Sequence, residues 1–233
     1  MAEEPRLRER KKLQTRRALW HTAIGLFVER GFDNVSVAEI AAATDVSKKT
    51  VFNYFPAKED LVMAPMEEHV DEPARIVRDR AAGESAVTAL RRHFVAALAA
   101  RDAATGLSDA PGTLDVQRLI RTTPTLMQRA YAFFARSEDL LARELAAQTQ
   151  AAGTTARVPA IAARVAAAQI MGVHNALVAE NLRRILDGES ADAVHPSAVA
   201  NAEHAFDVLE NGLGSYCTRE AVEGRPTDVR HPA

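Results

Sequence analysis

Apolar residues recur along this chain at helical spacing, three and four apart, in runs broken by Gly, Pro and Asp. The first run predicts a helix from about Thr15 to Arg30, with Leu19, Ala23, Leu26 and Phe27 inward and Trp20 and His21 at the edge of a small core. Gly31 closes it as a left-handed C-cap. Ser36 followed by Glu39 is a capping box, so a second helix starts at Val37 and buries Val37, Ile40 and Ala41 as one stripe. That helix stops near Thr44, and Asp45 suits the turn because Asp tolerates a left-handed backbone. Ser47 caps a third, short helix with Val51 and Phe52 inward and Phe55 just beyond. Lys48, Lys49, Thr50, Asn53 and Tyr54 are left to point away from the core, and Pro56 ends the element.

Beyond Pro56 the pattern stays helical. A fourth helix is expected from Lys58, kinked at Pro65 and finished near Pro73 or Gly83. Residues 85–103 carry Val87, Leu90, Phe94 and Leu98 on one face, 106–112 read as a loop, and Leu114–Arg121 as a short helix. The stretch 125–148 places Leu126, Met127, Phe133, Phe134, Leu140 and Leu141 inward. The longest helix is expected at 158–186, and His174, Asn175 and Asn181 fall inside its apolar arc. Polar groups on a burying face need partners, so these three are either satisfied core polars or ligand anchors. From Ser197 to about Gly212, the residues Val199, Ala202, Phe206, Leu209 and Leu213 follow the narrow seam of a helix pairing with another helix. The fold class is therefore all-α. Residues 1–14 lack an apolar period and are expected to be a flexible basic arm; 15–60 form a three-helix head, 61–214 a helical body, and 215–233 a disordered tail.

Charge matters locally. The chain has 233 residues and a formal net charge of −2, yet residues 1–17 hold seven Lys and Arg against three Asp and Glu. Attraction to phosphates needs a local patch of this kind, not a basic whole chain. The single cysteine, Cys217, rules out an internal disulfide and a cysteine-only metal site. No apolar run stands out as long enough to span a bilayer and the N-terminus is charged, so a cytoplasmic protein with no membrane partner and no cofactor is expected. The seven histidines show no metal-binding spacing, and no phosphate loop or nucleophile elbow appears, which sets a helical enzyme aside; turnover of a bound metabolite would restore it.

Two helices across a tight turn, the second short, polar and cationic, form a helix-turn-helix, whose second helix enters the DNA major groove while the first crosses the backbone. Thr15–Val62, about a fifth of the chain, resembles the DNA-binding domain of the tetracycline-repressor (TetR) family. The residues that carry the likeness are Leu26, Phe27, Gly31 and Phe32, the Ile40-Ala41 and Val46-Ser47 pairs, Thr50 to Phe55, and Lys58 to Leu61. It departs from the family pattern at Asp45, usually Gly, and at Phe52, usually Tyr, which has no hydroxyl to offer a phosphate. As expectations, Lys48, Lys49, Thr50 and Asn53 face base edges or nearby phosphates. Ser36, Ser47, Tyr54 and Lys58 hold the backbone, with Arg16 and Arg17 fixed by the first helix.

The resemblance implies a body that dimerises through its last two long helices and binds an effector. Such a homodimer presents two reading helices about 34–36 Å apart to a palindromic double-stranded operator. The effector pocket is expected among 85–103, 125–148 and 158–186, lined by Phe94, Met127, Phe134 and Leu177, with His93, His174, Asn175 and Asn181 as polar anchors. That lining suits a small, mostly apolar molecule. Arg101–Gly112 together with Arg118–Pro124 loosely resembles actinobacterial family members described as binding acyl-CoA-like ligands. The alternative is an architectural DNA-binding protein without an effector, which would show weak, sequence-independent binding.

Overall fold

The computed structural model describes residues 3–151 and 159–212. It consists of ten α-helices with no strand among the described residues: α1 (Glu3–Arg30), α2 (Val37–Ala43), α3 (Lys48–Tyr54), α4 (Asp60–Glu67), α5 (Glu72–Arg78), α6 (Ala86–Ala99), α7 (Pro111–Thr122), α8 (Pro124–Ala151), α9 (Pro159–Leu186) and α10 (Ala191–Asn211). A 3₁₀ turn, Ala103–Thr105, joins α6 to the loop before α7.

The head forms as its caps dictate. Ser36 Oγ accepts the Glu39 N–H at 3.2 Å and the Glu39 carboxylate accepts the Ser36 N–H at 2.8 Å, which closes the capping box at the start of α2. Ser47 Oγ accepts the Thr50 N–H at 3.0 Å at the start of α3. Gly31, just past α1, sits at φ +84 and Asp45, between α2 and α3, at φ +53, the left-handed positions the turns require.

The expected flexible arm at 1–14 is corrected from Glu3 onward: α1 begins there and runs unbroken for 28 residues. After Pro5, tolerated in the first turn, residues 6–14 are all Glu, Arg, Lys, Leu and Gln, good helix formers. Absence of an apolar period removes tertiary packing, not helix propensity. The fourth helix is also shorter than expected. With Pro65 inside it, α4 ends at Glu67, and the chain restarts at Glu72 with Pro73 in the first turn of α5. At the other end, α10 starts six residues before the expected Ser197. Ser190 caps it, the Ala191 N–H reaches Asp109 Oδ2 at 2.8 Å, and Pro196 is carried inside the helix.

Two apolar cores result. One joins Leu19, Phe27, Ile40, Val51 and Phe55 of the head to Leu61–Ala64 of α4, and continues into Leu119 and Ile120 of α7 and Leu126 and Ala130 of α8. The other gathers α5, α6, the second half of α8, α9 and α10 around Phe94, Leu98, Leu141, Met171 and Phe206. At 1.5 Å per residue, α8 is about 42 Å long and spans both.

The seam on α10 has a different partner from the one expected. Ala202 and Phe206 are 0% and 1% exposed within a single chain, packed on α6 and α9, and Val199 and Leu209 lean on the same core. Leu213 and residues 215–233 lie outside the described residues. The expectation about apolar runs is corrected as well: Ile161–Leu186 is long and apolar enough to cross a membrane by length and composition. Scattered His, Asn and Gln hide that length from inspection, and the segment is packed between α8 and α10.

Candidate nucleic-acid interface and effector cleft

On the seven-residue α3, Val51 is wholly buried, which fixes the helix rotation. Lys48, Lys49, Phe52 and Asn53 then form its solvent face, at positions i, i+1, i+4 and i+5. Phe52, expected inward, is 40% exposed, and the Lys48 ammonium lies 5.8 Å from its ring centroid. Tyr54, expected outward, is half-buried against the head core. Over two turns of helix, one 100° step decides which aromatic faces in, and Val51 with Phe55 outweighs the alternative. Thr50 is half-buried, with its hydroxyl 2.8 Å from Ser47 Oγ, so both are engaged in the cap at the tip of α3.

Three expected backbone contacts are otherwise engaged. Lys58 donates to the Phe32 carbonyl at 2.5 Å, with its ammonium 4.3 Å from the Phe32 ring centroid, and so ties the end of α1 to the start of α4. Arg16 pairs with Glu68 just past α4 and lies over the Phe55 ring. Ser36 is exposed, but its hydroxyl is engaged with Glu39. The Glu39 carboxyl is held down to about 2 by the Ser36 N–H and hydroxyl, with Arg30 assisting. Arg17 is exposed. The free cations are therefore arranged on α3 and along α1, where Arg8, Arg10, Lys11 and Lys12 are exposed. All five lysines of the chain lie between residues 11 and 58.

Behind the head, α4 is tied on two sides. Its end meets α1 through Arg16–Glu68 and α8 through Arg136–Glu67, and its start meets α8 through Arg129 and Asp60 at 3.6 Å. Four residues past Glu68, α5 forms one wall of a cleft of about 60 Å³. Glu72, Pro73 and Ile76 line it with Leu90, His93 and Phe94 of α6, Asp102 and Thr105 of the 3₁₀ turn, Met171 and His174 of α9, and Phe206 of α10.

Of the expected pocket residues, the cleft brings together His93, Phe94 and His174. Phe94 packs edge-on to the His174 ring at 5.3 Å, and burial holds the His174 imidazole below its ordinary range. The others lie elsewhere. Asn181 is 3% exposed and donates to the Thr105 carbonyl at 2.9 Å, a satisfied core polar. Asn175 approaches only its neighbour, with Oδ1 3.4 Å from His174 Nδ1. Leu177 is buried in the body core, Phe134 packs against the head core, and Met127 stands near the start of α8, away from the cleft. Glu72 and Asp102 leave no local signal: the break after Pro65 that creates α5 has no apolar signature, and Asp102 caps a 3₁₀ turn without apolar period.

The 3₁₀ turn is wedged against α9. Gly106 follows it at φ +73, and a Cβ there would stand 2.4 Å from the Val178 carbonyl oxygen. Only glycine fits.

A capped helix-turn-helix with a cationic second helix, mounted on a helical body that contains a cleft, is the arrangement of a DNA-binding head on a separate helical body. Comparison with known proteins agrees. Residues 19–64 match the family of bacterial regulatory proteins described as the tetR family. HTH-type transcriptional regulator TcmR of Streptomyces glaucescens is 32% identical over 148 residues, which cover 62% of this chain and 64% of TcmR, just under two thirds of that relative's length. LuxR of Vibrio harveyi, also an HTH-type transcriptional regulator, is 42% identical over 62 residues, 27% of this chain and 30% of LuxR. A crystal structure from Mesorhizobium loti assigned to the TetR family shares the fold, with a TM-score of 0.51 at 20% identity over 84% of this chain and 96% of that one. Residues 19–64 are thus similar to the DNA-binding segment of the tetR family, and the chain spans just under two thirds of the TcmR relative it matches.

Proposed function

We propose that this regulator binds a palindromic operator as a homodimer, acts as a repressor, and is released when a small, mostly apolar effector enters the cleft beside α5. The observation that carries this reading is the α3 face, where Lys48, Lys49, Phe52 and Asn53 project from a helix whose rotation and start are fixed by Val51 and Ser47. Lysines and an asparagine at that spacing suit base edges and phosphates in a major groove.

Dimerisation is supported by surface that a single chain leaves uncovered. The outward face of α9 carries Ile161, Val165, Ala168, Gly172, Ala176 and Ala179, with Ile161 60% and Val165 48% exposed. Adjacent α10 exposes Ala193, Pro196 and Ala200. Two such helices, paired with their copies about a two-fold axis, bury this surface and space the two α3 helices. The interface thus uses the faces of α9 and α10 opposite to the Ala202–Phe206 seam.

Release follows from the chain order. Effector contacts at Glu72, Pro73 and Ile76 lie a few residues from Glu67 and Glu68, whose partners are on α8 and α1. An effector that favours one position of α5 biases α4 and with it the head, and DNA binding must weaken by the same coupling free energy. Because 60 Å³ is far below the roughly 300–1,000 Å³ of ordinary ligand pockets, entry requires the α5–α6 wall to move.

The test is selection of bound DNA from a random pool over a salt series. An enriched palindrome is the expected result. Binding without enrichment that is lost steeply as salt rises would leave only phosphate contacts and favour the architectural alternative.

A further inference from the structure

We propose that the cleft between α5, α6, α9 and α10 takes a lipophilic organic cation, an apolar or aromatic body carrying one positive charge. This rests on the reading of the cleft as the effector site and adds its charge selectivity.

The lining is asymmetric in charge. Glu72 and Asp102 contribute carboxylates, and no Lys or Arg is among the lining residues. Arg75 stands beside Glu72 at 3.6 Å without lining the cleft, and two further arginines are turned elsewhere: Arg101 to the Leu98 carbonyl at 3.0 Å and Asp192 at 2.7 Å, and Arg91 to Glu203 and Asp207. The body has no lysine at all, since the last one in the chain is Lys58.

The Glu72 carboxylate is also only loosely paired. Its side chain is 26% exposed, and its cationic neighbours stand beyond hydrogen-bond distance: Arg75 at 3.6 Å, His69 at 3.7 Å and His93 at 4.0 Å. Among the described residues no group donates a hydrogen bond to it. A partly desolvated carboxylate without a donor is costly, and a cation or strong donor in the cleft relieves it. Asp102, at the rim, already accepts the Ala104 N–H at 2.9 Å.

The floor suits the rest of such a ligand. Phe94 and Phe206 stand 6.3 Å apart and tilted, His174 packs on Phe94, and Leu90, Ile170 and Met171 fill between them. Aromatic faces attract cations, and the neutral imidazole of His174 does not repel them. A phosphate or carboxylate lodged there would face the carboxylates of Glu72 and Asp102 with no lysine or arginine in the lining, so the cleft disfavours the anionic head of an acyl-CoA-like ligand.

Two probes of matched shape and opposite charge test this: tetraphenylphosphonium and tetraphenylborate, titrated calorimetrically into the full chain. The cation should bind at least tenfold more tightly. Glu72→Gln should remove most of that preference, and Ala97→Phe, which fills the cleft from a lining position on α6, should abolish binding. Equal or tighter binding of tetraphenylborate, lost in Ala97→Phe, would overturn the charge assignment while leaving the cleft as the effector site. Retention of the full preference in Glu72→Gln would likewise overturn it. If neither ion binds, or if Ala97→Phe changes nothing, both the charge assignment and the reading of this cleft as the effector site fall.

Discussion

Gly106 offers a sharp test of how the turn after α6 is held, because two effects of known size act there together. At φ +73 an alanine occupies the left-handed region, which costs about 1–2 kcal/mol. Its Cβ also meets backbone, the Val178 oxygen at 2.4 Å and the Leu182 nitrogen at 3.1 Å, neither of which can swing aside as a side-chain tip would. Relief requires the turn to lift off α9 and strains the Asn181–Thr105 hydrogen bond. Overpacking of this kind costs about 1–3 kcal/mol, so Gly106→Ala should lose about 2–5 kcal/mol in total. For a chain of this size each kcal/mol lowers Tm by about 2–4 °C, so a 3 kcal/mol loss predicts a drop of about 6–12 °C. Thermal unfolding followed by circular dichroism, at fixed protein concentration, measures it. The control is the same substitution at Gly25, in the exposed interior of α1, where nothing lies within 4 Å of the new methyl. There alanine should stabilise by about 0.5–1 kcal/mol. If both variants melt within a degree or two of the parent, the docking of the turn on α9 is wrong.

Other consequences can be checked separately. Lys49→Ala should weaken operator binding and lower the salt slope by about one; relaxed specificity at one base position would mark a base contact, a uniform loss a phosphate contact, and unchanged affinity would remove Lys49 from the interface. Phe52→Tyr restores the hydroxyl usual at this position and should raise DNA affinity a few-fold regardless of sequence, which electrophoretic mobility shifts on specific and random duplexes would show; no gain on either duplex would mean the ring does not approach a phosphate. The Glu39 carboxyl is depressed from 4.5 to about 2, so its contribution to stability is complete above pH 4.5 and is lost as pH falls toward 2. Glu39→Gln should flatten acid unfolding across that window, and an unchanged profile would remove Glu39 as its cause. His174, depressed by burial, resists a proton that the unfolded chain accepts near pH 6.5, so stability should fall as pH drops below that value. In His174→Leu the decline between pH 6.5 and 5 should be shallower; an identical slope in urea midpoints would rule His174 out as its source.

The head was legible because its information is local. Ser36 with Glu39, Ser47 with Thr50, and the left-handed Asp45 and Gly31 each act within four residues. What escaped was carried by reach across the fold. The glutamate that holds Arg16 is 52 residues away, and the carbonyl that holds Lys58 is 26 residues back, so neither partner leaves a mark in the local pattern. The Val199–Leu209 spacing correctly announced a helix paired with helices, but spacing does not say whose, and α6 and α9 of the same chain take that face. The polar residues of α9, which the pattern allows as core or ligand groups, divide: Asn181 closes on Thr105, while His174 faces the cleft. Glu72 had no signal, since its importance comes from donors that are missing around it.

The confinement of every lysine to residues 11–58 gives the molecule a built-in reporter. An amine-reactive reagent has no lysine to modify anywhere in the body. Lys58 is engaged with Phe32, which leaves Lys11, Lys12, Lys48 and Lys49 as the open lysine amines. Acylation of those four, followed by mass spectrometry, would therefore footprint operator occupancy directly, and adding a candidate effector would register as their return to reactivity without any label on the cleft itself.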